Sequence, residues 1–184
     1  GLGDVYKRQA NETSAAWKAA IEGREQPKIL ALSRQNLPVL EGTKEKAFDG
    51  LSKGAYVLVE ESKPTPDVIL MASGSEVQLA AEAAKTLEAE GTATRVVSMP
   101  CMEWFLEQDS SYIDEILPPE VTARVSVEAA IAMPWFRFTG DKGRNVSLEH
   151  FGASAPGEEL FTRFGITTDA VVNAARESLA SVRD

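Results

Sequence analysis

The chain has 184 residues, 43% of them hydrophobic and 26% charged, a balance that excludes disorder along its whole length and fits one domain, or one domain plus part of another. One Cys and one His exclude an intrachain disulfide and a zinc site built from four thiolate or imidazole ligands. A net charge of −9 with scattered Lys and Arg argues against nucleic acid as a partner, because phosphate binding needs clustered cations.

In chain order, residues 1–9 (GLGDVYKRQ) show no periodicity and no secretory pattern; they read as an assembly scar and are set aside from fold reasoning. Thr13 or Ser14 can cap a helix over Ala15 to Arg24, with Trp17, Ala20 and Ile21 on one face at three- and four-residue spacing. Lys28 to Leu32 is a strand, Ser33 to Gly42 a loop, and Tyr56 to Val59 a second strand. The densest basic group, Lys44, Lys46 and Lys53, is interleaved with Glu45 and Asp49. Residues 61–66 (ESKPTP) read as a linker, since two prolines fix φ and favour extended neighbours.

Beyond the linker the pattern becomes regular. Asp67 to Ala72 is a buried strand whose aliphatic run, Val68 to Ala72, is far too short to cross a bilayer, so no membrane partner is expected. Ser73-Gly74 is a turn, and Ser75 with Gln78 has capping-box spacing for a helix reaching Glu90. Val77, Ala80, Ala81, Ala84 and Leu87 form its apolar stripe, and Gly91 fits its C′ position. Ala93 to Met99 completes a βαβ unit, which implies a parallel, two-sided sheet. Short helices follow over Met102 to Gln108 and Ser111 to Leu117, then a strand over Ala123 to Glu128. Ala129 to Pro134 reads as a helical turn ended by Pro134, and Val146 to Leu148 as a final strand. Helices over Gly157 to Phe164 and Thr168 to Val182 close the chain, the latter turning Val171, Val172, Ala175, Leu179 and Val182 inward. The fold class is therefore α/β: a three-layer, mostly parallel sheet over 67–184, preceded by an incomplete piece of a second α/β domain over 10–60.

Few residues suggest chemistry. Ser73 to Glu76 could cradle a phosphate on backbone amides, but it lacks a glycine fingerprint and Glu76 would repel an anion; a tight turn is the better reading. Gly152 to Gly157 is a small-residue loop, better read as a close-packed turn because Glu158 and Glu159 follow it. His150 is the one base available to a catalytic triad, yet no nucleophile motif accompanies it, so a structural or surface role is expected. Cys101 reads as a packed small residue, and Met102, Trp104 and Phe105 as core or interface. Arg34 follows the carboxyl end of a strand, where α/β ligands bind, and a guanidinium there can grip a phosphate in bidentate fashion. On physics alone a surface Arg is the simpler account.

Resemblance changes that balance. Leu32-Ser-Arg-Gln-Asn-Leu-Pro38 resembles a transketolase segment, and the other anchors agree in order. These are Ala10-Asn-Glu-Thr13, Asp67-Val-Ile-Leu-Met-Ala-Ser-Gly-Ser-Glu-Val77, Ser98-Met-Pro-Cys-Met-Glu-Trp-Phe105, Ser126-Val-Glu-Ala129 and Phe151-Gly-Ala-Ser-Ala-Pro-Gly157 with Phe164-Gly-Ile-Thr167. Transketolases move a two-carbon ketol unit between ketose and aldose phosphates in the pentose phosphate pathway, using thiamine diphosphate and Mg²⁺ or Ca²⁺. The resemblance implies that 10–60 is the end of the pyrimidine-binding domain, 67–184 the C-terminal domain, and Arg34 a substrate-phosphate ligand. It supplies no catalytic, cofactor-binding or metal residue here: the diphosphate-binding and metal-binding segments, the cofactor-activating Glu and the channel histidines have no counterpart. The expectation is a cytoplasmic C-terminal fragment, inactive alone, structural, supporting a homodimer, with cofactor and sugar phosphates bound only by the full-length enzyme. The rival readings are a related thiamine-diphosphate enzyme (deoxyxylulose-phosphate synthase or a 2-oxoacid dehydrogenase β chain), against which the Arg-Gln-Asn-Leu-Pro segment argues, and a regulatory ligand-binding module.

Overall fold

A computed structural model describes residues 4–8 (backbone path), 10–33 and 35–183. Its centre is a strand that is apolar at every position. β4 (Val68–Ala72) is buried throughout, as a strand covered on both faces must be. Alternation then divides its side chains between two cores. Val68, Leu70 and Ala72 pack on one side with Val77, Ala80 and Leu87 and with Val171, Val172 and Ala175. Ile69 and Met71 pack on the other with Phe105, Trp135 and Phe138. Full burial of each such side chain stabilises by about 1.5–3 kcal/mol, so this strand organises the domain.

Around β4 the sheet runs in the order β3 (Tyr56–Val59), β5 (Thr94–Ser98), β4, β6 (Arg124–Val127), β7 (Arg144–Val146). All neighbours are parallel except β3, which pairs antiparallel with β5. Helices α3 (Val77–Ala89) and α8 (Thr168–Arg183) cover the first face. Short helices α4 (Met102–Leu106), α5 (Ser110–Ile116) and α6 (Phe136–Thr139) lie toward the second, and α7 (Gly157–Arg163) precedes α8. The expected three-layer, mostly parallel α/β sheet is present. Among the described residues no helix is long and apolar enough to cross a membrane.

Local details differ from expectation for identifiable reasons. Ser75 makes no capping bond; its hydroxyl donates to Glu76 Oε2 at 2.8 Å, and Gly74–Glu76 forms a 3₁₀ turn ahead of α3. Ala83 rather than Ala81 completes the buried stripe of α3. Gly91, at φ +84°, ends that helix as expected, with Thr92 N–H donating to Leu87 C=O. Pro134 opens a helical turn instead of closing one: it lies in the first turn of Met133–Trp135, where its missing N–H costs nothing. β7 starts before the expected Val146, at Arg144. Leu179 of α8 is partly buried, whereas Val182 is 43% exposed.

The amino-terminal part is smaller. β1 (Asp4–Arg8), α1 (Ala10–Glu22) and β2 (Lys28–Leu32) form a parallel βαβ unit. Residues 4–8, set aside on sequence grounds, are therefore strand, in keeping with the β-preferring Val5 and Tyr6. The apolar face of α1 that carries Trp17 and Ile21 is exposed, at 53% and 72%, and Glu12, Ala15 and Ala16 are the buried residues of the helix. A helix absent from the sequence reading, α2 (Thr43–Ser52), follows the 33–42 loop and buries Thr43, Ala47, Gly50 and Leu51.

The 61–66 segment joins two strands of one sheet and so lies inside the larger unit. It is stitched to that sheet, with Arg95 donating to Glu61 at 2.5 and 2.8 Å and Ser62 N–H to Glu88 at 3.2 Å. Burial pushes the Glu61 carboxyl up, but the Arg95 hydrogen bonds and charge more than offset this and leave it below the ordinary carboxylate value.

Candidate functional site at the carboxyl ends of the strands

The segments that carry the resemblance converge at one end of the molecule. Leu32 ends β2, Ala72 ends β4, and Val127 ends β6. The residues just after them, with Ala31, line a cleft of about 220 Å³: Leu32 and Ser33, Gly74 to Glu76, and Glu128 with Ala129. Parallel pairing brings the carboxyl ends of β4 and β6 to one edge, and the end of β2, from the separate two-stranded sheet, lies against them.

Two buried carboxylates shape that cleft. Glu128, 6% exposed, accepts the Trp135 indole N–H at 2.6 Å and the Ser73 hydroxyl at 3.3 Å. Glu76, 7% exposed, accepts the Ala129 N–H at 3.1 Å. Each side chain thereby ties one strand end to a neighbouring segment, and their charge disfavours an anion at the Ser73 to Glu76 turn, in line with the structural reading of that turn. Neither was singled out from sequence as a site residue. For Glu128 the sequence signal was a carboxylate at the end of a strand; Glu76, four residues past β4, showed only as an acid at the start of a helix.

Beside this cleft a second cavity, about 580 Å³, is lined by Gln35 and by Ser154 to Glu158. The Arg-Gln-Asn-Leu-Pro segment thus meets the small-residue loop. Gly157 permits the approach, since a Cβ there would overlap the Gln35 side-chain amide. The loop is not the close-packed turn expected: residues 151–156 are exposed, and Phe151 is 99% exposed. Arg34, the expected phosphate ligand, lies outside the described residues.

None of the remaining candidates lines either cavity. His150 is exposed, its Nδ1 lying 2.8 Å from the Phe151 carbonyl and its ring edge-to-face with Phe164. Cys101 is 1% exposed, and Phe105 is fully buried; Trp104 and Met102 are partly buried. No group of three or more His, Cys, Asp or Glu side chains able to hold a metal occurs among the described residues.

Sequence amino-terminal to the sheet adds one more contact. Glu12 of α1 reaches the same end, accepting hydrogen bonds from Tyr56 at the start of β3 and Ser98 at the end of β5. A family described as the transketolase-like C-terminal domain matches residues 54–167. The chain belongs to the transketolase family. It is 46% identical to the transketolase of Halalkalibacterium halodurans over 97% of its own length and 27% of that protein. Its fold matches the transketolase of Leishmania mexicana with a TM-score of 0.89 and 39% identity, over 98% of this chain and 26% of that one. It also matches a split-gene transketolase, described as an inactive β4 tetramer, with a TM-score of 0.75 and 26% identity over 96% of this chain and 58% of that one. The chain spans about a quarter of the length of the first two relatives. The C-terminal-domain match starts at residue 54, just ahead of β3, the first strand of the five-stranded sheet.

Proposed function

We propose that this chain is the carboxyl-terminal part of an enzyme that transfers a two-carbon ketol unit between ketose and aldose phosphates, and that by itself it serves structure rather than chemistry. The observation that carries the reading is the family match over a chain spanning 27% of its full-length relative. The resemblance gives residues 10–60 to the end of the pyrimidine-binding domain and 67–184 to the C-terminal domain, with 61–66 as the linker. The place of β3 in the sheet favours moving that boundary to about residue 54. The split-gene relative, described as inactive, supports dependence on a complementary portion.

The donor set present does not fit thiamine diphosphate or its metal: no described cluster of ligating side chains could hold the ion, and the buried carboxylates at the cleft are committed to Trp135, Ser73 and Ala129. Cofactor and metal are therefore assigned to other parts of the full-length enzyme, which we take to be a cytoplasmic homodimer of the pentose phosphate pathway. Within this chain Arg34 is the substrate-phosphate ligand, supported by the resemblance of residues 32–38 to the transketolase segment and by its following β2 in sequence. In a full-length transketolase carrying this sequence, Arg34→Ala should raise KM for sugar phosphates tenfold or more, a loss of about 1.4 kcal/mol or greater. An unchanged KM would make Arg34 a surface residue.

A further inference from the structure

Among the described residues Glu12 is the most completely buried carboxylate, at 0% exposure. It sits in the first turn of α1, yet its Oε1 accepts hydrogen bonds from the larger sheet, from the Tyr56 hydroxyl at 2.8 Å and the Ser98 hydroxyl at 2.5 Å. Tyr56 and Ser98 face each other in the β3–β5 register. One carboxylate oxygen therefore grips both members of a cross-strand pair.

The preceding residue reaches elsewhere. Asn11 Nδ2 donates to Thr43 Oγ1 at 2.7 Å, and that hydroxyl donates to the Leu40 carbonyl at 2.6 Å. The Thr43 N–H bonds the same carbonyl at 3.3 Å. Leu40 closes the loop that carries Arg34 and Gln35. Helix α2, which Thr43 begins, is bolted to β3 in turn: Lys46 Nζ donates to Val57 C=O at 3.0 Å and Leu58 C=O at 3.4 Å. Gly50 lies against Tyr56 so closely that a Cβ would overlap the ring, which fixes the phenol where its hydroxyl meets Glu12.

We infer that Asn11 and Glu12 form a two-residue clamp that positions the 33–42 loop against the C-terminal sheet. A buried carboxylate is tolerable only while donors face it, so the clamp is strong when complete and opens when a donor is lost. Glu12, Tyr56 and Asn11 are then positioning residues for phosphate recognition at the loop, a functional half that rests on the reading of Arg34. The structural half does not.

Tyr56→Phe keeps the ring and its packing on Gly50 and deletes one donor. Hydrogen exchange on the 184-residue chain should accelerate about tenfold at Thr43 and through α1, with β4 and β6 unchanged. Unchanged exchange at Thr43, or acceleration spread equally through β4 and β6, would overturn the clamp. In a full-length transketolase carrying this sequence, Tyr56→Phe should raise KM for a phosphorylated ketose about fivefold while kcat and the KM for an unphosphorylated acceptor hold. A fall in kcat with KM fixed would overturn the positioning role. Should Arg34→Ala leave KM unchanged, the phosphate reading fails, and the exchange experiment still decides the clamp.

Discussion

β2 and β4 are five-residue apolar strands of similar composition, KILAL and VILMA. Their fates differ. Every residue of β4 is buried between two helical layers, whereas Ile29 and Leu32 of β2 are 53% and 52% exposed. β4 has strand neighbours on both edges; among the described residues β2 pairs only with β1. The helix joining β1 to β2 repeats the contrast, with Trp17 and Ile21 largely exposed while α3 buries its whole apolar stripe. Apolar patterning reports the surroundings a segment suits, and only the C-terminal unit supplies those surroundings from its own residues. An uncovered apolar surface of the amino-terminal kind is characteristic of an interface, which fits the proposal of a larger enzyme.

The contrast can be broken most sharply in β4. Leu70→Ala should cost about 3–4 kcal/mol in denaturant unfolding, against about 1 kcal/mol or less for Ile29→Ala. Equal costs would erase the distinction between the two regions. Next in size is Arg124 at the start of β6, whose guanidinium donates to the carbonyls of Val121, Phe138, Leu117 and Pro118. Burial lowers its pKa, yet it stays the cation that satisfies those acceptors. Arg124→Met should destabilise by about 2–3 kcal/mol, read from the same unfolding curves, because it strands buried carbonyls.

A smaller effect separates the units by pH. The Glu61 carboxyl, pushed up by burial but held lower overall by Arg95, contributes stability that is complete above its ordinary value of 4.5. That contribution is lost as pH falls through the lowered folded value. Unfolding monitored from pH 6 downward should show this loss, and Glu61→Gln should flatten it, by about 1 kcal/mol. The smallest change is expected on the exposed face of α1, where Trp17→Ser should alter stability by about 0.5 kcal/mol or less.

The large unit was legible because its signals were strong and mutually consistent. The Val68–Ala72 run, the three- and four-residue spacing of α3 and Gly91 each fixed an element within a few residues. α2 went unread because Ala47 and Leu51 are its only buried residues with substantial apolar side chains, beside Thr43 and Gly50. The antiparallel place of β3 is a matter of long-range pairing, on which two prolines in the following segment bear only weakly. At the site, the four converging segments could be quoted from sequence, but Glu76 and Glu128 gain their roles only when parallel strands align their ends. Glu12 is similar, since a carboxylate in a first helical turn ordinarily reads as a favourable partner of the helix dipole. Nothing local reveals that Tyr56 and Ser98 meet it.

On the proposed function, this chain holds structure for ketol transfer and depends on the rest of a transketolase for the chemistry. Purified chain, supplied with thiamine diphosphate, Mg²⁺, xylulose 5-phosphate and ribose 5-phosphate, tests it directly when assayed alone and again with the complementary portion of a transketolase. No transfer above the enzyme-free blank is expected from the chain alone, and transfer is expected when the two portions are combined. Turnover by the chain alone would contradict it.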